Sequence, residues 1–72
     1  MHTYCKLKNG KIMVVWSDNK TEETMELYKL SELDVASPRF YKNLTTVPYS
    51  EIDMTDTNLS VINYNYNYYA NN

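Results

Sequence analysis

The only glycine of this chain follows Asn9, and the pair stands between two runs of strand-forming residues. These are Tyr4-Cys5-Lys6-Leu7-Lys8 and Lys11-Ile12-Met13-Val14-Val15-Trp16. Asparagine and glycine both accept positive φ, as a two-residue type I′ turn requires, so residues 4–16 are expected to form a β-hairpin. In the first arm Cys5 and Leu7 alternate with Tyr4, Lys6 and Lys8, which leaves one face wet. The second arm, Ile12 to Trp16, is apolar on both faces and belongs at the centre of a sheet.

Beyond the hairpin, Ser17-Asp18-Asn19-Lys20 reads as a turn. Residues 21–33 fit two templates. A helix would use Asn19 as its cap, with Glu22 as the reciprocal partner. Met25, Leu27, Tyr28, Leu30 and Leu33 nevertheless scatter around a helical wheel. As a strand, Met25 and Leu27 share one face, with Glu26, Tyr28 and Leu30 on the other. A third strand over Glu23 to Leu30, beside the central one, is therefore expected.

Ser37-Pro38 has the chemistry of a helix start, so a helix of about two turns is expected before Thr45-Thr46-Val47-Pro48 ends it. Phe40, Tyr41 and Leu44 would pack down on the sheet. Tyr49 to Met54 adds a short strand or turn, Asp53 to Asn58 is a polar loop, and Leu59 to Tyr69 is the final strand, ahead of a frayed 70–72. The expected fold is mainly β, of the α+β kind. It is a small antiparallel sheet or partly closed barrel of four to five strands with one short helix.

At 72 residues the chain is expected to be a single small domain, residues 1–72. Its one cysteine allows no internal disulfide and no structural zinc set. Stability must come from an efficient core or from self-association, and the 14% aromatic content suits both. The net charge of -2 supplies no basic footprint for duplex DNA. No basic-then-apolar leader opens the chain and no apolar run approaches membrane-spanning length, so a cytoplasmic protein without membrane contact is expected, in the host cytosol if viral. The sequons at Asn19, Asn43 and Asn58 would fit secretion and glycosylation, but about one or two arise by chance in a chain so rich in Asn, Ser and Thr, so that reading carries little weight.

Chemistry-bearing sets are few. His2 and Cys5 would point to opposite faces of one strand, which suits a buried apolar thiol better than a nucleophilic dyad. The oxygens of Asp53 to Asn58 lack the glycine and the distant glutamate of a calcium loop. Glu22, Glu23 and Glu26 read as a solvated face. With the one glycine used in a turn there is no phosphate cradle. The chain is therefore read as non-enzymatic, with no catalytic residues, metal or cofactor.

One segment has a face that can be named. From Ile62 to Tyr69 the chain reads Ile-Asn-Tyr-Asn-Tyr-Asn-Tyr-Tyr. In a strand Ile62, Tyr64, Tyr66 and Tyr68 share one surface, and Asn63, Asn65 and Asn67 line the other. The tyrosines could be core under the helix. They could be an interface to a partner or to a second copy in a homodimer, since tyrosine offers large contact area at low entropic cost. They could also stack bases of a nucleotide or single-stranded nucleic acid, in which case Trp16, Arg39, Tyr41 and Lys42 are the ligand-binding candidates.

The short chain, rich in Asn, Tyr, Lys and Thr, resembles small accessory proteins of phages and mobile elements. That resemblance implies a host-defence-evasion type of role, in which a larger host protein is bound and inhibited or modulated. The leading expectation is such an interaction protein acting through the Tyr64, Tyr66, Tyr68 surface. The alternative is a small β-domain that binds a nucleotide or single strand by stacking.

Overall fold

The computed structural model describes residues 1–34 and 39–63. Five strands form one antiparallel sheet: β1 (Tyr4–Leu7), β2 (Ile12–Asn19), β3 (Thr24–Lys29), β4 (Thr45–Pro48) and β5 (Ile52–Asp56). Their spatial order is β4-β3-β2-β1-β5, so the doubly apolar β2 lies at the centre as its composition requires. β3 has the two faces expected of it. Its Leu27 is fully buried on one and Tyr28 nearly so on the other.

The first turn differs in kind from the expectation. Gly10 has φ 92, but Asn9 does not enter the positive region. The Gly10 amide donates to the Leu7 carbonyl at 2.8 Å, and Leu7 donates to the Lys11 carbonyl, also at 2.8 Å. The connection is thus a three-residue loop with glycine in the left-handed position, not a two-residue type I′ turn. The Asn9 side chain accepts from Lys11 N at 2.9 Å, a task that needs no positive φ.

β2 also runs past its expected end. Ser17, Asp18 and Asn19 pair with Glu26, Met25 and Thr24 instead of turning. Trp16 is the extra residue between Val15 and Ser17, so the strand absorbs a bulge and carries on. The reversal falls at residues 20–23. There the Asn19 side chain accepts the Glu22 amide at 3.0 Å, and Glu23 takes φ 54.

Three further expectations are corrected. Residues 53–56 are not loop but most of β5, whose burial alternates residue by residue while it pairs with β1. The short helix lies at 59–63, where a strand was expected, and residues 39–44 hold only a 3₁₀ turn where the helix was expected. The local reason is a cap. Asn58 takes the Ser60 amide on its side chain at 2.9 Å and the Val61 amide on its carbonyl at 3.1 Å. Its own amide is held by the Asp56 carboxylate at 2.7 Å. Ile62, at the end of this turn, is fully buried.

Arg39–Tyr41 forms a single 3₁₀ turn, and residues 35–38 lie outside the described part. Glu32 holds the residues that follow that turn. Lys42 Nζ donates to the Glu32 carbonyl at 3.1 Å, and the Asn43 side chain donates to the Glu32 carboxylate at 3.1 Å. The chain is thereby drawn back toward the Leu30–Glu32 turn and enters β4 directly.

The β4–β5 connection dictates the shape of the sheet. Pro48 aligns through Thr24 with Asn19, at one end of β2. Ile52 aligns with Leu7, beside the Lys6–Ile12 pair at the other end. In a flat sheet those corners would be on the order of 30 Å apart, from strand rise and spacing. Only the 3₁₀ turn Tyr49–Glu51 joins them, and four Cα steps reach at most about 15 Å. The sheet must therefore curl over the face that bears Cys5, Leu7, Met13, Leu27 and Val47, with Val15, Met25 and Ile52 packed around them. β4 and β5 do not pair, so the barrel stays open.

The opposite face is not wet at its centre. Val14 and Tyr28 pair directly on it and are buried. Lys6 retains only 2% of its surface, although alternation placed it on the solvent side. Its ammonium meets the carboxylate of Asp53, the bulge residue of β5, at 2.9 Å. Pairing permits the burial.

Candidate binding face around Trp16

The second face of the sheet gathers the residues with recognition chemistry. As the bulge residue of β2, Trp16 packs edge-on against Tyr28, centroid to centroid 6.0 Å at 73°. This is the geometry the ring quadrupoles favour. Tyr28 is held from a second direction by Lys42, whose Nζ lies 4.7 Å from the ring centroid. Burial, with Tyr4 close by, pushes the Tyr28 phenol above its ordinary pKa.

A polar chain runs beside these rings. Ser17 Oγ donates to Glu26 Oε1 at 2.8 Å, and Arg39 Nη2 donates to Glu26 Oε2 at 2.6 Å. Glu26 is half-buried whereas Arg39 is 60% exposed, so the carboxylate fixes a guanidinium that still faces solvent. Tyr41, from the same 3₁₀ turn as Arg39, is 69% exposed and does not pack down on the sheet as expected. The ties that hold the following Lys42 and Asn43 to Glu32 set the course of the turn. Trp16 keeps 37% of its surface.

Of the sequence-derived ligand candidates, Trp16 and Lys42 thus meet on Tyr28, Arg39 is held by Glu26 two residues before Tyr28 on the same strand, and Tyr41 shares the 3₁₀ turn of Arg39. Sequence reasoning missed Tyr28, Glu26 and Ser17. The available signal for Tyr28 and Glu26 was the alternation that put them together on the face opposite Met25 and Leu27; that Val14 of β2 lies against Tyr28 came only from the register. The other expected surface fares differently. Asn63 is exposed at the end of the 59–63 helix, and Tyr64, Asn65, Tyr66, Asn67 and Tyr68 lie outside the described residues.

Nucleophilic chemistry finds no support at Cys5. Its thiol is fully buried, and that burial pushes its pKa up to about 11, which suppresses the reactive thiolate. His2 is exposed and its ring lies 6.5 Å from that of Tyr4. Among the described residues no group of three or more His, Cys, Asp or Glu side chains could hold a metal ion. Nor is any helix among them long and apolar enough to cross a membrane.

No protein-family model, curated protein or solved structure matches this chain.

Proposed function

We propose that this chain is a non-enzymatic interaction protein that docks a larger protein through the face built around Trp16, Arg39 and Tyr41. The observation that carries this reading is that Trp16, packed on the buried Tyr28, and Arg39 and Tyr41 of one 3₁₀ turn all keep exposed surface. Tryptophan, tyrosine and arginine are the residue types that dominate binding hot spots. Two of them are also prepositioned, Trp16 by its bulge and Tyr28 contact, Arg39 by Glu26. Prepositioning reduces the entropy lost on docking.

Nucleotide stacking is the weaker reading. Both cations that would meet a phosphate beside Trp16 are already engaged within the chain, Arg39 by the Glu26 carboxylate and Lys42 by the Glu32 carbonyl. The resemblance in composition to phage and mobile-element accessory proteins agrees with a protein partner, which the bound chain would inhibit or modulate.

The test compares capture from native host lysate by the wild-type chain and by a Trp16→Ala, Tyr41→Ala double variant with an unchanged circular dichroism spectrum. A protein enriched by the wild type and lost from the variant is the expected result. Equal capture by both would remove the face from consideration. A saturable, salt-sensitive change in Trp16 fluorescence with short single strands or nucleotides would instead favour stacking.

A further inference from the structure

A second feature lies away from Trp16, at the mouth of the curled sheet. A cleft of about 350 Å³ is lined by Asp18, Met25, Tyr49, Ile52, Met54 and Thr55. These residues come from the far end of β2, from β3, from the Tyr49–Glu51 turn and from β5. The sheet ladder does not join β5 to β2 or β3. The cleft therefore marks where the unclosed barrel brings opposite margins together.

Its lining is divided chemically. Met25, Ile52 and Met54 supply an apolar floor, and methionine adapts its shape to what it packs against. At the rim the Tyr49 hydroxyl donates to the Asp18 carboxylate. The Tyr49 amide is tied to the Glu23 carbonyl at 2.9 Å, which fixes the ring where the cleft opens. No lining residue is a cation, and Asp18 is exposed. The hydrogen bond to Asp18, burial, and the charges of Asp18 and Glu23 push the Tyr49 phenol up to about 12, so it stays protonated and the one charge in the lining is the Asp18 carboxylate.

We propose that this cleft is a binding site for a lysine side chain of a partner polypeptide. The aliphatic stem would lie on Met25, Ile52 and Met54, with the ammonium at the Asp18 carboxylate. The charge is complementary, and the volume, at the small end of ligand pockets, admits one long side chain. The cleft opens to solvent, so the occupant's backbone can remain outside. This inference does not depend on the face around Trp16.

The probe is N-acetyl-lysine N-methylamide, titrated while the methionine methyl groups and backbone amides are followed by NMR. N-acetyl-norleucine N-methylamide serves as the uncharged counterpart. Saturable shifts confined to Met25, Met54, Asp18 and Thr55 are expected, with the norleucine compound about tenfold weaker or worse, the usual scale for losing a charge-assisted contact. Asp18→Asn retains an acceptor for the Tyr49 hydroxyl, so the fold is kept and lysine affinity falls by a similar factor. Tyr49→Phe releases the carboxylate from its internal donor and leaves binding unchanged or tighter. Absence of saturable shifts at the two methionines overturns the proposal. So does equal binding of the two probes, or an Asp18→Asn variant that binds as the wild type does.

Discussion

The carboxylate of Asp53 stands 2.9 Å from the ammonium of Lys6, so an almost fully buried lysine is paired with a residue that a bulge turns toward it. Removing one partner of a buried pair is far worse than replacing the cation by a hydrocarbon. Asp53→Asn is expected to destabilise the chain by about 1–3 kcal/mol, a range reduced from the fully buried case because Asp53 is 41% exposed. Lys6→Met should lie within about 1 kcal/mol of wild type. Urea midpoints at constant m-value measure both, and an Asp53→Asn midpoint equal to wild type would remove the pair from the account of stability.

Leu27 sits between β2 and β4, with Val15 and Thr45 as its register partners, and has no exposed surface. Its truncation to alanine is expected to cost about 2–5 kcal/mol, the range for deleting a buried leucine. Val61→Ala should change stability by less than about 0.5 kcal/mol, because Val61 is a surface residue. Comparable losses at the two sites in a denaturant titration would contradict the assignment of the core.

The thiol of Cys5 adds a dependence on alkaline pH. Its folded pKa of about 11 exceeds the ordinary 9.0, so the folded chain holds a proton that the unfolded chain gives up. The unfolded state then binds fewer protons, and stability falls as pH rises between 9 and 11. Below pH 9 this contribution is fully present. Tyr28, raised chiefly by burial, acts in the same direction above its ordinary 10.0. Urea midpoints at pH 8 and pH 11 should differ less in Cys5→Ala than in wild type, once its lower overall stability is subtracted. The native thiol should also react with a disulfide reagent only at the rate of unfolding.

Two residues with positive φ should respond oppositely to substitution. Gly10, at φ 92, closes the β1–β2 hairpin, and Gly10→Ala is expected to cost about 1–2 kcal/mol because a Cβ clashes there. Glu23, at φ 54, already bears that strain, so Glu23→Gly should be neutral or stabilising by up to about 1 kcal/mol. Thermal midpoints of the two variants provide the comparison.

Much of the sheet was legible because it follows from alternation and from one turn. Cys5 and Leu7 on one side, Ile12 to Val15 in the middle of the sheet, and Met25 with Leu27 opposite Tyr28 all stand where period two places them. Burial of Cys5 followed in the same way. Of the candidate binding face, Trp16, Arg39, Tyr41 and Lys42 were identifiable as residue types, but their meeting was not. It depends on a bulge at Trp16 and on a Glu26–Arg39 pair that links β3 to a turn 13 residues later.

Local pattern determined that this chain makes an antiparallel sheet with β2 at its centre. Tertiary structure decided the edges and the curl, while a local cap that alternation does not register set the path of the chain after β5. A four-residue strand such as Thr45–Pro48 has too few residues to announce itself and exists because β3 offers it a ladder. At residues 59–63 the side chain and carbonyl of Asn58 capture amides that an extended chain would have presented to a neighbour. Alternation states which face a residue would occupy in a strand. Whether the strand forms is settled by hydrogen-bond partners, across the sheet for β4 and from the adjacent Asn58 at residues 59–63.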